Sequence, residues 1–204
     1  MYEDIVQDLR PEVFLEAYLQ GYSHHTTQWS PEELSLVSRI VLSNEPLYTH
    51  DAPLLCLLNS ISRRIFHSRD NDGYALVFRS ADTQSLPNPF TGNAYTPYIV
   101  VLREQHPDYE FPEIDYTQHN QVPHTWCAFS AVGEVKTGTD GKHQLGVYLQ
   151  NLLQLHPELN AVLGLTVDME NYSLFYHDAD VIDRSSFTFE QPGPLYAFNP
   201  KTNI

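Results

Sequence analysis

The sequence predicts an α/β fold, and three observations lead to this prediction. Apolar residues recur three and four positions apart through the first third of the chain, which is the spacing of amphipathic helices. After Gly73 the chain changes to short β-rich segments separated by turns. A predicted strand, helix and second strand then follow one another between 126 and 167, which is the order of a βαβ crossover. We therefore expect one domain over 1–204, with a helical N-terminal portion at 1–72 and an α/β core at 73–204.

Three helical regions are predicted before the β-rich part. The first contains the apolar residues Ile5, Leu9, Phe14, Tyr18 and Leu19. Pro11 allows a break or a restart within this region. The second begins at Ser30-Pro-Glu-Glu33, where the serine and the second glutamate form a capping box and the proline occupies the first helical position. The third begins at Asp51-Ala-Pro53 and ends near the polar stretch at 68–73.

Five strands and one further helix are predicted after Gly73. The strands are Tyr74 to Arg79, Pro97 to Arg103, Trp126 to Lys136, Ala161 to Val167 and Tyr172 to Tyr176. The helix begins at Asp140 and is stopped by Pro157. Residues 104–125 are polar and contain three prolines, so we expect a long loop there. The tail after Asp178 is expected to add aromatic-rich edge segments.

The charge of the chain disfavours one class of function. Lys and Arg number 11 and Asp and Glu number 26, which gives a net charge of −15. A protein that binds nucleic acid by neutralising many phosphates needs the opposite balance. We therefore expect binding to nucleic acid to be weak if it occurs, and a protein partner is the alternative.

The cysteines and the hydropathy pattern bear on the compartment. Cys56 and Cys127 match neither a zinc spacing nor a disulfide framework, which favours a reducing environment in the cytoplasm or nucleus. The chain has no apolar run of membrane-spanning length, and its N-terminus lacks the basic start of a signal peptide. The expectation is an intracellular protein without membrane attachment.

A polar pair stands at the end of the third predicted strand. Alternation in Gly133-Glu-Val-Lys136 puts Glu134 and Lys136 on the same face of the strand. A carboxylate and an ammonium group so placed can hold a divalent cation and polarise a phosphodiester or orient its attacking water. The alternative is an exposed ion pair with little energetic effect.

Two further polar residues follow on the next predicted helix. Gln144 and Tyr148 are one turn apart, so both side chains can reach back over the end of the strand. The alternative is that Tyr148 is a core residue and Gln144 is merely solvated.

This combination resembles the PD-(D/E)XK nuclease superfamily, particularly its RecB-like branch. A longer similarity, over about residues 75–200, is to the region before the kinase domain in fungal-type protein kinase proteins. The similar segments are Asp82-Thr-Gln84, Thr96-Pro-Tyr-Ile-Val-Val101, Trp126, Glu134-Val-Lys136, Val162-Leu-Gly-Leu-Thr166 and Tyr172-Ser-Leu-Phe-Tyr-His-Asp178. The resemblance implies a restriction-endonuclease-like core, in which a mixed central sheet is flanked by helices, and a fungal source. It also implies a magnesium or manganese site at Glu134, completed by an acidic residue at the start of the preceding strand.

The sequence departs from that pattern at the acidic residue. Where the superfamily usually has Pro-Asp, this chain has Pro97-Tyr98. A phenol is neutral at pH 7 and is a poor ligand for Mg²⁺, which prefers carboxylate oxygens and water. Asp108 or Asp82 are the candidate replacements, although Asp108 follows the strand and Asp82 is better explained as a turn residue.

Three functions remain open on these residues. The preferred one is a degenerate nuclease-like domain, catalytically weak or inactive, that binds a partner and keeps Glu134, Lys136, Gln144 and Tyr148 as remnants of a site. The second is a Mg²⁺- or Mn²⁺-dependent nuclease acting on DNA or RNA, and the third is a structural module derived from a kinase-associated protein. Three arginines, Arg63, Arg64 and Arg69, can contact phosphate or simply complement the helix dipole as a solvated helix end.

Overall fold

The computed structural model describes most of the chain. The residues described are 6–18, 29–42, 53–67, 74–81, 84–88, 90–105, 125–135, 140–168 and 171–189. Four α-helices lie in these stretches: α1 (Pro11–Tyr18), α2 (Pro31–Leu42), α3 (Pro53–His67) and α4 (Asp140–Leu155). The strands are β1 (Val6–Asp8), β2 (Tyr74–Ser80), β3 (Leu86–Pro87), β4 (Ala94–Tyr95), β5 (Ile99–Gln105), β6 (Phe129–Val135), β7 (Ala161–Val167), β8 (Asn171–Asp178) and β9 (Ile182–Thr188).

Seven of the strands form one mixed sheet in the order β1-β9-β8-β7-β6-β5-β2. The pairs β6/β7 and β1/β9 are parallel, and the other neighbours are antiparallel. Strands β3 and β4 form a separate two-stranded hairpin. Helix α4 connects the parallel strands β6 and β7, so the predicted βαβ crossover and the α/β class are confirmed.

Helices cover both faces of the sheet. Since alternate residues of a strand point to opposite sides, one strand contributes side chains to the core on each face. On β5, Val100 and Leu102 join a core cluster with α4, whereas Ile99 joins a second cluster with α2 and α3. We call these the α4 core and the α3 core. Gly164 of β7 lies directly beneath leucines of α4, and Val167 of the same strand belongs to the α3 core. The end of β6 therefore meets α4 on one face of the sheet.

The capping box predicted for α2 is present. The Ser30 backbone N–H donates to Glu33 Oε2 at 2.8 Å, and the Glu33 N–H donates to Ser30 Oγ at 3.1 Å. Arg64 of α3 also contacts Glu33 Oε2, at 3.0 Å, and the Glu33 side chain is 1% exposed. The same carboxylate thus caps the N-terminus of α2 and connects α2 to α3. The predicted position of α3 is also confirmed.

Three local predictions were wrong, each for a tertiary reason. The first helical region is interrupted, since Val6–Asp8 form a strand by pairing with Ile182–Arg184 of β9. Trp126–Ala128 form a 3₁₀ turn instead of the start of a strand, because the Trp126 ring is buried in the α4 core and Thr125 caps the turn. The aromatic segment after Asp178 is no edge strand, since β9 lies between β8 and β1.

The predicted loop at 104–125 is shorter at its start, because β5 extends through Gln105 by pairing with Tyr74. Residues 106–124 and the tail beyond 189 lie outside the described residues. None of the helices in the described stretches has both the length and the apolar character that crossing a bilayer requires.

Candidate functional site

The pairing of β5 with β6 fixes what lies opposite Glu134. Ile99 is opposite Gly133, and Val100 is opposite Val132. In an antiparallel pair the next step along this register sets Tyr98 opposite Glu134. A Cβ atom at Gly133 would come within 3.1 Å of the Ile99 Cβ and 3.3 Å of the Leu165 carbonyl oxygen, so glycine permits the close approach of these strands.

The Glu134 side chain is fully buried at the end of β6, with 0% of its surface exposed. It shares a strand face with Val132, two residues earlier, which belongs to the α4 core. Burying a carboxylate away from water is costly, so a protein retains such a group only where its surroundings compensate. Glu134 therefore belongs to an interior site beneath α4 and is not the exposed ion pair considered from the sequence.

Helix α4 places Gln144 and Tyr148 near the end of β6. The Gln144 amide donates a hydrogen bond to the Tyr148 hydroxyl, and the backbone of Thr96 makes a second hydrogen bond to it. Burial raises the pKa of Tyr148 above its ordinary value, and the negative charge of nearby Glu134 raises it further. The hydroxyl therefore stays neutral in the physiological range, and it joins α4 to the segment that leads into β5.

Tyr98 precedes β5, the strand that pairs with β6. Its charge, were it to ionise, would also raise the pKa of Tyr148, so its hydroxyl is within electrostatic range of the site. The Tyr98 ring is half-buried and packs against the α3 core. Glu134 and the hydrogen-bonded pair Gln144 and Tyr148 thus lie together beneath α4, and Tyr98 lies within electrostatic range of Tyr148.

Aromatic rings form a wall of this site that sequence reasoning missed. The Tyr148 ring lies 5.5 Å from Trp126 and 5.8 Å from Tyr95, measured between ring centroids. Tyr95 in turn meets Trp126 edge-on at 6.4 Å. No spacing rule connects these three residues in the sequence, because they come from a hairpin, a 3₁₀ turn and a helix. The two tyrosines at 95 and 98 are the feature of the sequence that could have indicated it.

The hairpin that carries Tyr95 is fixed to α4 by Asn88. The Asn88 Oδ1 accepts from the backbone N–H groups of Phe90 at 2.7 Å and Thr91 at 3.0 Å. Its Nδ2 donates to Asn151 Oδ1 of α4 at 2.5 Å. Gly92 completes the turn with a positive φ of 72°, a conformation that favours glycine. The hairpin therefore holds Tyr95 and Thr96 against Tyr148.

The described residues do not fit a hydrated magnesium ion. Mg²⁺ keeps several water molecules and is usually held by one or two carboxylates. Here the carboxylate of Glu134 is fully buried, and the position opposite it carries the phenol Tyr98. Within the described stretches, no three His, Cys, Asp or Glu side chains gather into a group suited to a metal. The predicted residues Lys136, Asp82 and Asp108 lie outside those stretches.

Two of the three arginines predicted to contact phosphate lie among the described residues. Arg64 is partly exposed and forms an ion pair with the buried carboxylate of Glu33, whereas Arg63 is exposed. Adjacent residues of a helix are about 100° apart around its axis, so Arg63 and Arg64 leave the helix in different directions. Arg69 lies outside the described residues.

Comparison with known proteins adds no family to this picture. No protein-family model matches the chain, and no curated protein matches it.

Proposed function

We propose that this chain is a nuclease-like domain that has lost catalysis and acts by binding a partner. The observation that carries the proposal is the register of β5 and β6, whose terminal pair, Ile99 with Gly133, puts Tyr98 opposite Glu134 at the next step. The resemblance to PD-(D/E)XK nucleases implies a carboxylate at that position. A neutral phenol there removes one of the charges that a divalent cation would need.

The burial of Glu134 supports the same proposal. A catalytic carboxylate must reach its metal and the attacking water, but this one has no exposed surface. Tyr148, whose hydroxyl accepts a hydrogen bond from Gln144, lies within electrostatic range of this carboxylate. The mixed sheet, with helices before it and on both faces, agrees with the architecture that the resemblance implies. What remains is the frame of a site without its open metal position.

A cleavage assay tests the loss of catalysis. The purified chain and its Glu134→Gln variant are incubated with Mn²⁺ or Mg²⁺ and four probes: supercoiled plasmid, linear duplex, single-stranded DNA and single-stranded RNA. We expect the same background cleavage from both proteins. Metal-dependent cleavage that disappears in Glu134→Gln would instead show an active nuclease, the second function considered from the sequence.

Restoring the missing carboxylate tests the position of Tyr98. Tyr98→Asp is compared with Tyr98→Asn, which has nearly the same shape but no charge, in calorimetric titrations with Mn²⁺. We expect Tyr98→Asp to bind at least about tenfold more tightly, equivalent to about 1.4 kcal/mol, because its carboxylate would stand beside that of Glu134. Equal affinities in the two variants would mean that position 98 is not the vacated ligand position.

A further inference from the structure

The outer edge of β2 is closed by side chains of α3. In the described sheet β2 is the last strand, and it pairs with β5 along its whole length. The outward edge of such a strand presents backbone N–H and C=O groups that can pair with another chain. Asn59 instead engages both groups of Phe78, and Ser62 engages the carbonyl group of Leu76.

Asn59 reproduces the hydrogen bonds of a neighbouring strand. Its Nδ2 donates to the Phe78 carbonyl oxygen at 2.9 Å, and its Oδ1 accepts from the Phe78 N–H at 2.9 Å. This is the double exchange that a peptide unit makes in an antiparallel ladder. A third bond, from Nδ2 to the Leu55 carbonyl oxygen at 3.0 Å, holds the amide in this orientation. The side chain has no exposed surface.

Ser62 extends the same arrangement by one step along β2. Its hydroxyl donates to the Leu76 carbonyl oxygen at 2.5 Å. Ser62 follows Asn59 by three residues, so both side chains lie on the face of α3 that meets the strand. Two side chains therefore occupy three outward backbone groups of β2.

We propose that α3 closes the β2 edge against pairing with a second copy of this chain. Strand β2 has the sequence Tyr-Ala-Leu-Val-Phe-Arg-Ser, with β-branched and aromatic residues, no proline or glycine and a single charged residue. Such a strand is prone to edge-to-edge association. Two copies can meet through their β2 strands about a two-fold axis, because antiparallel pairing of identical strands is self-complementary. Asn59 and Ser62 take the hydrogen bonds that this association requires.

Removing the two side chains tests the proposal. The variant Asn59→Ala/Ser62→Ala is compared with the wild type and with Val162→Ala, which weakens the buried core at β7 without touching β2. Light scattering coupled to size exclusion measures association, and circular dichroism measures folding. We expect the double variant to retain its fold and to associate at protein concentrations at least tenfold lower than the wild type, whereas Val162→Ala associates like the wild type.

Hydrogen exchange at the Phe78 amide identifies the surface. In the double variant this amide should exchange faster than in the wild type when dilute and become protected as the concentration rises. Ser62→Ala, the milder change, should show a smaller shift in the same direction and serves if the double variant does not fold. Wild-type association in both variants, or Phe78 exchange that does not depend on concentration, would overturn the proposal. Unfolding of both the double variant and Ser62→Ala would also overturn the proposal, because the side chains would then be needed for folding and not only for closing the edge.

Discussion

Two glycines, one in β7 and one in α4, have opposite effects on the stability of the fold. Gly164 of β7 lies under α4, and a Cβ there would come within 2.9 Å of Leu149 Cδ2 and 3.1 Å of Leu145 Cδ2. Both leucines are fully buried, so they have little room to move. Gly146 lies inside α4, where a Cβ would meet only the Ile182 Cδ1, at an ordinary 3.7 Å. The first glycine is needed for packing, and the second lowers helix stability without such a reason.

Alanine at each position should therefore change stability in opposite directions. Overpacking by Gly164→Ala costs about 1–3 kcal/mol, from which the reduced chain entropy of alanine recovers about 0.5–1 kcal/mol. We expect a net loss of free energy of unfolding for Gly164→Ala and a gain of about 0.5–1 kcal/mol for Gly146→Ala. Urea denaturation of both variants measures their free energies of unfolding. We expect the dependence of this free energy on urea concentration to be the same as in the wild type. A stabilising Gly164→Ala would mean that α4 lies farther from β7 than the structure has it.

At the scale of elements, the N-terminal segment is attached to the sheet through β9. The Leu9 N–H donates to the Arg184 carbonyl oxygen at 2.8 Å, next to the pairing of β1. The Tyr18 hydroxyl at the end of α1 donates to the carboxyl group of Asp183, which is 5% exposed. The Tyr18 ring also stacks on Tyr176 with a centroid distance of 3.9 Å. A strand and a helix thus dock on the same part of the sheet.

This docking should weaken in alkaline solution. Burial, the hydrogen bond to Asp183 and its negative charge raise the pKa of Tyr18 in the folded state. Because the folded pKa exceeds the unfolded value of about 10, the contribution is complete below pH 10 and is lost as the pH rises above it. We expect Tyr18→Phe to reduce the fall in stability above pH 10, measured by denaturation at a series of pH values.

The stability of Tyr18→Phe at pH 7 provides a second, independent test of this hydrogen bond. Removing the hydroxyl takes a donor from a buried carboxyl group, which costs about 1.5–3 kcal/mol. Tyr176→Phe is the matched control, because it keeps the stacked ring and leaves the bond between Tyr18 and Asp183 in place. Equal losses in the two variants would contradict a particular role for the Tyr18 hydroxyl.

At the scale of the whole molecule, the excess of acidic residues opposes compaction. A net charge of −15 on 204 residues produces self-repulsion that grows when the chain folds. Salt screens such repulsion beyond a distance of about 10 Å at 0.1 M ionic strength. The buried contacts of Glu33 and Asp183 are screened less, so salt should remove more repulsion than attraction.

Stability should accordingly rise with ionic strength. We expect the melting temperature to increase between about 10 mM and 500 mM NaCl, by roughly 2–4 °C for each kcal/mol gained. Choline chloride should have the same effect as NaCl, because the mechanism is screening and requires no bound ion. A melting temperature that falls with salt would mean that attractive surface pairs outweigh the net charge.

Elements whose signals are local could be predicted from the amino-acid sequence alone. The capping box at Ser30 acts within one helical turn, and the periodicity of α3 and α4 lies within each helix. The strand-turn-helix order also sufficed to bring Glu134, Gln144 and Tyr148 into one candidate site, because these elements are consecutive. Helical spacing and short connections carry that information without any distant contact.

Features that join distant parts of the chain depend on tertiary contacts and could not be predicted from the sequence. Three residues at Val6–Asp8 become a strand because β9 offers them an edge, and the Trp126 turn exists because its ring fills the α4 core. The burial of Glu134, its position opposite Tyr98 and the closing of β2 by Asn59 likewise depend on strand register and packing. Register is set by contacts between segments, and no pattern within one segment specifies it completely.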